Sequence, residues 1–261
     1  MRPGAAGIHR EGDNSLANHT ILLLSSSSVH GQHYLEYAMP AIDEFLAGRT
    51  HLAFAPFALS AHDAYTERVR STLSPLGVTV TGLNAVSDPT AALHEADALF
   101  VGGGNSFRLL KHLQRLGLIE PVRRLVEQGK LAYMGTSAGA NMACPSLRTT
   151  NDMPIVQPDS FDALGLIPFQ INPHYVDPDP ASTHMGETRE MRITEFLEDN
   201  NVPVLGLREG AWLRRRGACL ALGGASGARL MQRGQPAREF VAGDDLSFLL
   251  TLQPAFDSPA N

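Results

Sequence analysis

The chain has 261 residues, 43% of them hydrophobic and 18% charged, the proportions of an ordinary globular protein able to bury a sizeable core. A formal net charge of −6 and the absence of any long Lys/Arg cluster argue against nucleic acid as a partner. No apolar run approaches the roughly 18 residues of a membrane span, and two cysteines without paired spacing provide neither a disulfide framework nor a metal site.

Residues 1–19 lack the apolar stretch of a secretory signal and read as a flexible polar tail, which points to the cytoplasm and two reduced, mostly buried thiols. From Thr20 the pattern alternates between strand and helix. Thr20–Leu24 is a strand that ends in the small-residue loop Ser25–Ser28. A helix follows over Tyr34–Leu46, then a strand over His51–Phe57, a helix from about Ala64 to Leu73 and a strand over Val78–Leu83. A short helix over Thr90–Glu95 precedes the apolar strand Ala98–Val101, which runs into Gly102-Gly103-Gly104-Asn105 and a helix to Leu116. Pro121–Gln128 is helical, with proline in the first turn where its missing N–H is harmless. This order, with strands that are continuous apolar runs, predicts an α/β fold with a mainly parallel sheet covered on both faces.

Leu131–Met134 leads into Gly135-Thr136-Ser137-Ala138-Gly139, a Gly-x-Ser-x-Gly pattern at a strand-to-helix junction. That is the form of a nucleophile elbow, in which glycines permit a tight turn and the serine hydroxyl is pushed clear of the sheet. After Asn151 the spacing changes to a proline-rich connection, a strand near Phe169–Ile171, a helix from about Glu187 to Leu197 and a strand at Val202–Leu207. Short hairpin-linked strands at the sheet edge follow (Ala211–Leu213, Ala218–Leu222, Ala228–Met231, Glu239–Val241), with Arg214-Arg215-Arg216 at a hairpin edge or turn. No repeat or linker composition divides the chain, so residues 20–261 read as one domain.

A catalytic Ser137 needs a base and a group to orient it. Of ten histidines only His174 and His184 follow the serine. His174 comes just past a predicted strand end, where ligands of open α/β sheets gather; His184 begins a polar stretch. For the orienting acid, Glu209 lies just past another strand, while Asp152 sits in an Asn-Asp-x-Pro turn and is the alternative. The glycine run at 102–104 lacks the third glycine of a dinucleotide fingerprint and the Lys-Ser/Thr of a P-loop. It is left as a bare backbone loop able to stabilise an oxyanion together with the Ala138 amide, or as a plain tight turn.

Several segments together resemble peptidase E, the α-aspartyl dipeptidase family of serine peptidases. They are Gly102–Phe107, Gly135–Asn141, Cys144–Val156, Gln170–His174, Gly186–Glu190 and Glu209-Gly210, in the family's order over nearly all of Thr20 to Met231. The resemblance implies a flavodoxin-like, doubly wound α/β fold related to class I glutamine amidotransferases, with no metal or cofactor; monomer and homodimer both stay open. It implies Ser137 as nucleophile, His174 as base, Glu209 as its orienter, and Gly104 with Ala138 as oxyanion hole. The implied substrate is a short peptide with N-terminal aspartate, whose β-carboxylate Arg189 could grip and whose amino group or main chain Asn105 could hold. The family pattern is broken at Thr136, where it carries tryptophan, and at Arg208, where proline is usual; Arg208 could help an acidic substrate or pair with Glu209. A cyanophycinase-like hydrolase and a catalytically dead binding module are the other readings.

Overall fold

The computed structural model describes residues 19–179, 181, 183 and 185–258. The predicted alternation is present. Five strands, β1 (Thr20–Leu24), β2 (His51–Ala55), β3 (Thr79–Gly82), β4 (Ala98–Val101) and β5 (Ala132–Thr136), pair in parallel in the order β3-β2-β4-β5-β1. Counted from β2, this is the 2-1-3-4-5 winding of flavodoxin-like sheets, with the fifth place filled by the first strand of the chain.

Strand side chains alternate between two cores, as the pleat requires. Leu22 and Leu24 pack with Ile42 and Phe45 of α1 (Met39–Leu46) and with Tyr65 and Val69 of α2 (His62–Leu73). Ile21 and Leu23 face the opposite core, against Leu93 of α3 (Pro89–Glu95), Leu109 and Leu113 of α4 (Ser106–Arg115), and Val122 and Leu125 of α5 (Ile119–Glu127). These helices start where capping chemistry allows: Asp88 accepts from the Ala91 amide ahead of Pro89, and Asn105 accepts from the Arg108 amide.

The C-terminal third differs from expectation. Strands β8 (Ala211–Arg216) and β9 (Cys219–Gly224) extend the main sheet as a hairpin, β8 antiparallel to β1 and β9 antiparallel to β8. However, β10 (Ala228–Met231) and β11 (Arg238–Phe240) do not join that edge. They form a second, four-stranded sheet with β6 (Gln170–Tyr175) and β7 (Val204–Arg208), in the order β11-β10-β7-β6. Its Ile171, Leu205, Leu207, Ala228 and Leu230 pack into the same core as Ile21 and Leu23, which is why their apolar runs gave no sign of a separate sheet. Helix α7 (Arg189–Asp199), capped by Thr188, covers its other side through Ile193 and Leu197.

Residues 1–18 of the expected tail lie outside the described residues, but His19 does not behave as a tail. It is buried, with Nε2 3.0 Å from the Glu127 carbonyl oxygen. Of the arginine triplet at the end of β8, Arg215 is buried and donates to the Gly217 and Leu166 carbonyls. Cys144 is buried, its thiol pushed up to about 12 by burial, whereas Cys219 is exposed, against expectation.

Candidate active site

The short helix α6 (Ala138–Met142) begins one residue after β5, and Ser137 forms the corner. Its backbone is at φ 51°, ψ −110°, a conformation that side chains resist and that persists because its surroundings impose it. The Ser137 amide donates to the Leu24 carbonyl at the end of β1. A Cβ on Gly135 would stand 2.3 Å from the Gly139 carbonyl oxygen, and one on Gly139 would stand 2.1 Å from that of Val101. The two glycines therefore let helix, elbow and β4 close on one another, as the motif predicts.

His174 comes from the second sheet. It sits in a bulge of β6, where the register to β7 shifts between Pro173 and Tyr175, and has φ 52°. The bulge turns the imidazole toward the elbow. With the ring proton on Nδ1, Nδ1–H donates to Glu209 Oε1 at 2.6 Å, and the Ser137 hydroxyl donates to Nε2 at 2.9 Å. Glu209 directly follows β7, so imidazole and carboxylate emerge from neighbouring parallel strands. Both are partly open to solvent, with side chains 38% and 52% exposed. His184 lies outside the described residues.

Asp152 is elsewhere. Its Oδ2 accepts from the Ser106 amide and hydroxyl and from Thr150, so it caps α4 rather than orienting His174. Asn105 is also committed to the start of α4: Oδ1 accepts from the Arg108 amide and Nδ2 donates to the Met153 carbonyl. One of the two Nδ2 hydrogens and one lone pair of Oδ1 are thereby engaged. The cap signal of an asparagine just before a helix was visible in the sequence.

The glycine loop after β4 abuts the elbow. A Cβ on Gly103 would come within 3.2 Å of Ser137 Cβ, and Gly104 takes φ 136°, where a Cβ would strike the Ala58 carbonyl. Among the described residues neither the Gly104 nor the Ala138 amide has a hydrogen-bond acceptor, which leaves two donors beside the serine. Beneath them Thr136 is fully buried, its hydroxyl without a hydrogen-bond partner among the described residues.

Arg189 begins α7 and has no ion-pair partner among the described residues, because Glu187 pairs with Arg192 and Glu190 with Arg229. Burial lowers its pKa, Arg192 lowers it further, and the charge of Asp152 opposes both. Arg208 forms no pair with Glu209; it is taken up by Asp177 and Glu239. Ser25 was missed. Buried at the end of β1, it donates to the Leu207 carbonyl at 2.7 Å and accepts from the His174 amide at 2.9 Å, so one hydroxyl pins the bulge to β7. Only its place at a strand end hinted at this.

Residues 21–222 match the model of peptidase family S51. The chain is 59% identical over 238 residues to a peptidase E of Streptomyces coelicolor, covering 91% of this chain and 98% of that one. It is 47% identical over 232 residues to a probable alpha-aspartyl dipeptidase of Drosophila melanogaster, covering 88% and 97%. Among solved structures, a putative peptidase E from Listeria monocytogenes superposes with a TM-score of 0.61 at 26% identity, over 79% of this chain and 98% of that one. A peptidase from an acI-B1 actinobacterium shares the fold at a TM-score of 0.66 and 16% identity, covering 88% and 98%. The chain therefore belongs to peptidase family S51, the serine dipeptidases that its motifs resemble.

Proposed function

We propose that the chain is a dipeptidase that releases aspartate from the N-terminus of short peptides, through Ser137, His174 and Glu209. The observation that carries this reading is the unbroken line from Glu209 through His174 to the strained serine, at 2.6 and 2.9 Å. The name of the fruit-fly relative, probable alpha-aspartyl dipeptidase, supports the substrate class.

Ser137 Oγ attacks the peptide carbonyl as Nε2 of His174 takes its proton, and Glu209 stabilises the imidazolium that forms. The Gly104 and Ala138 amides receive the oxyanion; each such donor contributes about 3 kcal/mol to the transition state. The amine leaves with the proton from His174, giving an aspartyl ester on Ser137. Water, deprotonated by His174, attacks that ester and frees aspartate. Arg189, without a carboxylate partner among the described residues, would hold the substrate β-carboxylate by two parallel hydrogen bonds. Because the reacting groups draw on both sheets, residues 20–261 act as one unit, in the cytoplasm.

Ser137→Ala should give no measurable release of aspartate from Asp-Leu. Unchanged turnover would end the reading. A panel with β-Asp-Arg in place of Asp-Leu would detect a cyanophycinase-like specificity instead.

A further inference from the structure

Outside the line of Ser137, His174 and Glu209, five charged side chains form a continuous chain of ion pairs. Arg208, the residue before Glu209, donates from Nε to Asp177 Oδ2 at 2.7 Å and from Nη2 to Asp177 Oδ1 at 2.6 Å. Its Nη1 donates to Glu239 Oε2 at 3.0 Å. The other oxygen of Glu239 accepts from Arg229 Nη1 at 2.7 Å, and Arg229 Nη2 donates to Glu190 Oε1 at 2.8 Å, next to Arg189.

Position gives this network its meaning. Asp177 lies on the segment that continues β6 just beyond His174, and Arg208 is the last residue of β7 just before Glu209. The β6–β7 ladder is irregular here: the register shifts between Pro173 and Tyr175, and proline has no N–H to contribute. The backbone ladder is therefore interrupted beside His174 and just before Glu209. The Arg208 guanidinium spans that gap, and it also lies 5.8 Å from the centre of the Tyr175 ring. Isolated surface pairs hold little, but this one is bidentate, networked and only 19% exposed on the arginine side. All three of its nitrogens are engaged, so Arg208 is not placed to grip a substrate.

We propose that Arg208, through its forked pair with Asp177, is a positioning residue: it sets the ends of β6 and β7 and so holds His174 Nδ1 against Glu209 Oε1. The inference rests on the Ser137–His174–Glu209 reading. It divides labour between two arginines, Arg208 acting on turnover and Arg189 on substrate affinity.

The test is steady-state hydrolysis of Asp-Leu by R208A, R208K, D177N and the double variant R208A/D177N, each beside wild type. R148A is the matched control, because Arg148 makes an equally forked pair with Asp257 away from the site. R208A and D177N should each lower kcat about 10- to 100-fold, the range expected when reacting groups are misplaced, with KM little changed. The double variant should be no worse than either single, because both remove the same pair. R208K keeps the charge but not the fork and should recover only part of the loss. The downfield proton resonance of His174 Nδ1–H should weaken in R208A and D177N and persist in R148A. Should R208A fail to fold, D177N carries the same measurement. Wild-type kcat in R208A and D177N, a change confined to KM, or an equal loss in R148A would overturn the proposal. If S137A keeps its activity, the parent reading fails; if S137A is dead while R208A and D177N are unimpaired, only the positioning role fails.

Discussion

Ser137 is held in a conformation an unconstrained residue would leave, and the two glycines around it let neighbours impose that state. A methyl group at 139 cannot fit 2.1 Å from the Val101 carbonyl without moving β4 or α6. Gly139→Ala should therefore lower stability by about 3 kcal/mol, read as a fall in the urea midpoint, and abolish turnover as well. The Glu209 carboxylate has a separate role, because it fixes which ring nitrogen of His174 carries the proton. Glu209→Gln should fold normally yet lose as much as about 10⁴-fold in kcat, with KM nearly unaltered. At Arg189, removal of a charged fork should raise KM for Asp-Leu about 10- to 100-fold and leave Ala-Leu untouched, as dipeptide competition would reveal. The elbow, the histidine and the acid could be read from sequence because each depends on near neighbours: glycines flank the serine, and strand-like runs precede the other two. The capping role of Asn105 at α4 became clear only once the helix it starts was built.

At the scale of elements, the bulge in β6 is the critical device. A regular strand would alternate its side chains evenly; the shift at His174 re-aims one of them. Ser25 secures that shift from a strand far away in the chain, contacting both the His174 amide and the Leu207 carbonyl. Ser25→Ala leaves two buried groups short of a partner and should cost about 1–3 kcal/mol by chemical denaturation. Turnover should decline further than the lost stability alone explains. No local pattern in Ser25–Ser28 could have disclosed this, since hydroxyl-rich loops are common and the contacts span most of the sequence. The second sheet was hidden for a related reason: short strands such as Ala228–Met231 declare their own conformation and never their partners.

Across the whole molecule, the parallel winding was legible because buried strands and amphipathic helices announce themselves by period. The burial of His19 was not. His19 looks like the end of a tail, yet it is packed against Glu127 and held below its usual pKa of 6.5 by burial and then by Arg215. The folded chain binds that proton less readily than the unfolded one. Its contribution to stability is therefore complete above about pH 6.5 and lost as the pH falls through that value toward the lower folded pKa. Melting temperatures should drop through this window in the wild type and less steeply in His19→Gln.

The Ser137 hydroxyl hangs from one sheet and the His174 imidazole from the other. Chemistry here consequently reports alignment between two layers, much as a vernier reports a slip too small to see on the main scale. Mild urea that loosens the layers should silence hydrolysis while far-UV ellipticity, blind to such slippage, still reads as native.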